Sequence, residues 1–99
     1  MSNAVWVISY KLVEEASVPD FLLASEKVNN EVLSKQKGFI SWKILREGDT
    51  WIDIVTWETM DDAAKGETAG EGNPAALAFY AFIDFNSIKQ QCLSVEKSY

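Results

Sequence analysis

Histidine does not occur in the 99 residues. That absence removes Ser-His-Asp and Cys-His catalysis, the usual zinc ligand sets and a histidine-ligated haem. Cysteine occurs once, at Cys92, so no internal disulfide can form. With no disulfide and no secretory signal read at its start, the expected location is the reducing cytoplasm. No apolar run approaches the ~20 residues that span a bilayer. Basic residues are scarce, nine against 15 acidic, for a net charge of −6. Phosphate backbones are held by clustered Lys and Arg, so nucleic acid and anionic membranes are not expected partners. The acids are scattered without ligand spacing, so no metal site is expected. Internal repeats and low-complexity segments are also lacking.

The composition that remains is ordinary for a globular domain, 47% hydrophobic and 24% charged. Residues 1–99 read as one domain, burying roughly two-thirds of its unfolded surface around one core.

The most informative stretch runs from Gly38 to Thr59 and holds three of the four tryptophans. Two runs of β-branched and aromatic residues flank Gly48-Asp49, which supplies a tight turn. A two-residue loop there pairs Glu47 with Thr50, Leu45 with Ile52, Lys43 with Ile54 and Trp42 with Val55. One face then carries Ile40, Trp42, Ile44, Val55 and Trp57, with Asp53 and Trp51 toward the turn. The other carries Phe39, Leu45, Ile52 and Ile54 among Ser41, Lys43 and Thr56. Neither face is fully polar, so something covers both sides.

Val5–Val13 reads as a first strand, with Trp6, Ile8, Tyr10 and Leu12 on its more apolar face. Ser17 caps a helix expected over Val18–Gln36, with Asp20 in the capping box and Pro19 in the first turn. Phe21, Ala24, Val28 and Val32 form its apolar stripe, with Leu22 and Leu33 beside them. Gly38 suits the left-handed position after it. Thr59-Met60-Asp61-Asp62 caps a short helix ending before Gly70, because Gly66 and Gly70 each cost about 1 kcal/mol inside a helix. Asn73 caps another piece, with Pro74 at its first position, expected over Ala75–Ile83 and buried from several directions. Ile88–Val95 is the last expected strand.

The order β-α-β-β-α-β is the ferredoxin-like pattern, an α+β fold with helices on one face of a four-stranded antiparallel sheet. The opposite face does not read as wet, so a homodimer joined sheet to sheet is expected.

Gly38-Phe39 entering the second strand, Trp57-Glu58-Thr59 closing the third, Asp62-Ala63 in the next helix and Ile83-Asp84 before the last strand carry a resemblance. The chain resembles the dimeric α+β barrels, the group of the antibiotic-biosynthesis monooxygenases, from about Val5 to Val95. The resemblance implies two sheets packed face to face and a pocket between each sheet and its helices. It also implies cofactor-free oxygenation of phenols and quinols, quinol oxidation or haem degradation. Haem degraders of the family use a histidine in the second helical region. Asn73–Phe82 has none, which sets that branch aside. The cofactor-free oxygenases use Asn, Trp, Tyr and Arg residues, but no catalytic residue is carried over by position.

The implied function is a cofactor-independent monooxygenase-like protein acting on a small aromatic or apolar molecule. The alternative is a non-catalytic ligand-binding or interaction module on the same dimeric fold. Trp6, Trp42 and Trp57 are candidates to line a flat pocket, against an ordinary role in packing. Asn73 and Tyr80 are candidates to hydrogen-bond a phenolic ligand. Asp53, a carboxylate among apolar neighbours, is the candidate base if it is buried. Its ordinary reading is an ion pair with Lys43, Lys11 or Arg46, or exposure. Cys92 reads as a small core residue.

Overall fold

The computed structural model describes residues 2–99. The elements are β1 (Ala4–Leu12), α1 (Val18–Glu31), a 3₁₀ turn (Leu33–Lys35), β2 (Phe39–Glu47), β3 (Thr50–Trp57), α2 (Met60–Gly66), α3 (Pro74–Tyr80) and β4 (Ile83–Ser94). The four strands form one antiparallel sheet in the order β2-β3-β1-β4. The fold is ferredoxin-like.

The turn at Gly48-Asp49 sets the β2–β3 register as its chemistry dictates. Glu47 pairs with Thr50, Leu45 with Ile52, Lys43 with Ile54 and Trp42 with Val55. Gly48 takes φ +61°, which a tight hairpin needs and glycine supplies freely. Along β3 the pleat alternates without exception: Trp51, Asp53, Val55 and Trp57 are buried under the helices, while Ile52, Ile54 and Thr56 are half-buried on the open face.

The far end of β2 departs from the sequence-based expectation. A bulge between Phe39 and Ser41 sets Phe39 opposite Trp57 and leaves Ile40 exposed. One extra residue reverses the facing of everything beyond it. Phe39 therefore joins the core, edge-on to Trp57 at 5.9 Å, and Ile40 does not.

The three helix starts use the caps read from sequence. Ser17 accepts from the Asp20 N–H, Thr59 from that of Asp62, and Asn73 from those of Ala75 and Ala76. The ends differ from expectation. α1 stops at Glu31, because Val32 leaves helical geometry (φ −122°, ψ −71°) and the chain tightens into the 3₁₀ turn. Gly38, at φ +81°, turns the chain into β2, and its carbonyl accepts from the Glu58 N–H at 2.8 Å. Leu22 is exposed rather than part of the buried stripe. α3 ends at Tyr80, and Leu77 and Tyr80 are exposed, so this piece is covered on one side only.

The last strand begins at Ile83, five residues before the expected Ile88. Its start is hidden by an irregularity opposite Tyr10: the β1 partners jump from Ser9↔Lys89 to Lys11↔Asp84. The displaced residues satisfy themselves locally. Ser87 Oγ donates to the Asp84 carbonyl and accepts from the Lys11 N–H, and Asp84 Oδ1 accepts from the Asn86 N–H. Asp, Asn and Ser favour such local bonds, so the segment lacks a strand's pattern.

One core lies between the sheet and the helices. Phe21 of α1 is its hub, with ring centroids 5.1–6.1 Å from Tyr10, Trp51, Phe79 and Phe82. α2 approaches closely because Gly66 has no Cβ: one would collide with the Trp57 ring. The glycine that weakens α2 as a helix is the one that lets it pack.

Candidate functional site

Two adjoining cavities lie between the sheet and the α2–α3 region. The inner one, of about 100 Å³, is walled by Trp6 and Trp42 from the sheet and by Phe79 and Tyr80 from α3. The outer one, of about 330 Å³, shares Trp6, Phe79 and Tyr80 and adds Phe85 and Gln90. Asp53 and Glu67 border both. Phe85 is exposed and stands 6.1 Å from the Tyr80 ring, centroid to centroid, so two aromatic rings flank the mouth. The β4 irregularity places Phe85 and Ile88 there.

Asp53 is the polar centre. It sits inward on β3 and is only 4% exposed. The Tyr10 hydroxyl donates to its Oδ1 at 2.7 Å. Burial holds its carboxyl up at about 6, against the opposing pull of the Tyr10 hydrogen bond and then of the Trp42 indole. The Trp42 Nε1, like those of Trp6 and Trp57, is buried and makes no formed hydrogen bond among the described residues, so the Tyr10 bond is the firmer of the two. Burial first, then the charge of Asp53, hold the Tyr10 phenol far above its ordinary value. Tyr10 therefore stays a donor, and Asp53 is a carboxylate at neutral pH that takes up a proton with modest acidification.

None of the expected ion pairs forms. Lys11 lies 3.7 Å from Asp49, Arg46 stacks over Trp51 at 4.8 Å, and Lys43 is exposed on the open face of the sheet. A buried acid without a cation is costly, and that cost is what raises its affinity for a proton.

The structure brings Trp6, Trp42, Tyr80 and Asp53 around one space. It does not bring Trp57 or Asn73 there. Trp57 is fully buried against Trp6 at 4.9 Å, and the Asn73 carboxamide oxygen is engaged in capping α3. Sequence reasoning missed Tyr10, Phe79, Phe85 and Glu67. Tyr10 was visible as an inward residue of β1. Its meeting with Asp53 needs the β1–β3 register, Ile8↔Asp53 and Tyr10↔Trp51, which no local signal fixes. No cluster of three or more potential metal ligands occurs among the described residues. Among the described residues, no helix is long and apolar enough to cross a membrane.

No family model matches the sequence, and no curated protein sequence matches it. Solved structures do. SnoaB, a cofactor-independent oxygenase from Streptomyces nogalater, superposes with a TM-score of 0.79 at 16% identity over 99% of this chain and 97% of its own. A candidate antibiotic biosynthesis monooxygenase from Nitrosomonas europaea gives 0.74 at 11% identity over 95% and 90%. The protein shares the ferredoxin-like α+β fold of these structures. A dimeric protein of unknown function with a ferredoxin-like fold, from Bacteroides fragilis, gives a TM-score of 0.64 at 14% identity over 94% and 96%. At such identities the likeness is one of fold, and the chemistry must be argued from the pocket.

Proposed function

We propose that the chain is a cofactor-independent monooxygenase-like protein that acts on a small aromatic or apolar hydroxylated molecule held between sheet and helices. The observation that carries this reading is the buried Asp53 carboxylate, proton-affine and open to an aromatic-walled cavity. The fold shared with SnoaB supports it.

The chemistry is proton abstraction followed by reaction with dioxygen. Tyr10 occupies Oδ1 of Asp53, and the other oxygen accepts the proton of the substrate hydroxyl. The resulting phenolate is electron-rich and reacts with O₂ at the ring carbon para to it. One oxygen atom becomes a new carbonyl and the other leaves as water. The para C–H and the original O–H are lost, so phenol plus O₂ gives quinone plus H₂O. The apolar walls keep water from competing for the anion.

Two chains joined through their open sheet faces form the working unit in this reading. Leu45 and Leu93 are exposed there, with Val5, Val7, Ile52 and Ile54 half-buried between them. Light scattering should give about twice the 11.1 kDa chain mass. Oxygen uptake with a panel of phenols and quinols tests catalysis: consumption should exceed that of a denatured control and be lost in Asp53→Asn. A flat response across the panel would rule the oxygenase out.

A second reading, a ligand-binding module without turnover, is favoured by the bond that already engages Asp53 Oδ1. Thermal stabilisation by the same panel without oxygen uptake would select it.

A further inference from the structure

Both cavities are lined by carboxylates and by no cation. Asp53 borders the inner and outer spaces, and Glu67 stands at the exposed rim of both. No Lys or Arg is among the lining residues of either. The chain's single arginine, Arg46, is held over Trp51 instead. The other titratable groups facing Asp53 are Tyr10 from β1 and Tyr80 from α3, neither of which brings positive charge. An anionic ligand entering here would lose its hydration, meet two like charges and find no partner.

The same site favours a hydroxyl donor. Tyr10 fixes one oxygen of Asp53, and the other makes no hydrogen bond among the described residues and is not among the sealed, unpartnered atoms. A hydrogen bond to a charged, buried acceptor is stronger than one between neutral groups.

We infer that the cavity selects an uncharged ligand that donates a hydroxyl hydrogen bond to Asp53 and rejects the same ligand when it carries a carboxylate. The ligand class is a neutral hydroxylated aromatic, with one ring in the inner space and its remainder between Tyr80 and Phe85. This rests on the pocket assigned above but not on turnover.

The test is binding calorimetry on the intact chain, without oxygen, at about pH 8, where Asp53 is ionised. Three probes share one skeleton: methyl 5-hydroxy-1-naphthoate, its free acid, and the ester with its hydroxyl methylated. The ester and acid differ in charge, not in the hydroxyl. The first probe should bind about tenfold or more tightly than either of the others. Asp53→Asn should largely remove the penalty for methylating the hydroxyl and narrow the gap to the acid. Glu67→Gln, at an exposed rim position that does not threaten folding, should narrow the acid gap alone. An acid that binds as tightly as its ester, or gaps unchanged in both variants, or no binding by any probe, would overturn the inference. The expected ranking without oxygen uptake in air would remove catalysis and leave the selectivity standing.

Discussion

The two faces of the sheet are made from the same strands and have opposite fates. On the covered face, Trp6, Tyr10, Trp51, Asp53, Val55 and Trp57 are all buried. On the open face, Val5, Val7, Ile52 and Ile54 are only half-buried, and Leu45 is 44% exposed. The buried residues of the covered face are apolar but for Asp53, whereas the open face mixes Val5, Val7, Ile52 and Ile54 with Ser9, Lys43, Thr56 and Gln91, and the helices of one chain cover only the first. The covered face therefore carries the protomer's stability and its polar exception, Asp53. The open face leaves its apolar side chains half-buried at most. A carboxylate stays on the covered face only because Tyr10 satisfies one oxygen and a cavity reaches the other.

The largest effect expected from breaking this asymmetry is Trp57→Ala. It empties the covered face beneath Gly66 and should cost about 3–5 kcal/mol in urea unfolding, independent of protein concentration. Next comes the titration of Asp53. Its folded pKa of about 6 lies above the ordinary value of 3.8, so the folded state holds the proton more tightly than the unfolded one. The stability that Asp53 contributes is then fully present below about pH 4 and is lost, by about 3 kcal/mol, as pH rises through about 6. Asp53→Asn cannot titrate, and the difference in unfolding free energy between wild type and variant should fall with pH over that window.

Tyr10→Phe should cost about 1–3 kcal/mol and move the Asp53 midpoint above 6, because the lost bond favours the charged carboxylate. The smallest effect on the protomer's own stability belongs to the open face. Ile54→Lys should change it by only about 0.5 kcal/mol and still halve the mass seen by light scattering. A dimeric Ile54→Lys protein would mean that the open face is not the interface.

Local chemistry made much of this fold legible. The Gly48-Asp49 turn dictated pairing out to Trp42↔Val55, and Ser17, Thr59 and Asn73 marked three helix starts. What escaped was non-local or irregular. The extra residue at Ile40 swaps it with Phe39, and no pattern of two apolar neighbours shows which one bulges. The start of β4 is disguised by Asp84, Asn86 and Ser87 bonding to their own backbone. Gly66 reads as a weak point of a helix until Trp57 is seen beneath it. Asp53 was visible as an anomaly. Its partner Tyr10 was not, since the contact depends on how two distant strands slide past each other.

The pocket's chemistry depends on Asp53 as a buried, titrating acceptor. Carbon-13 NMR of aspartate-labelled protein, with Asp53→Asn to assign the signal, measures this directly. The carboxyl midpoint should lie near 6, rise in Tyr10→Phe and shift when methyl 5-hydroxy-1-naphthoate is added. A midpoint near the ordinary 3.8, unmoved by either change, would contradict that role for Asp53.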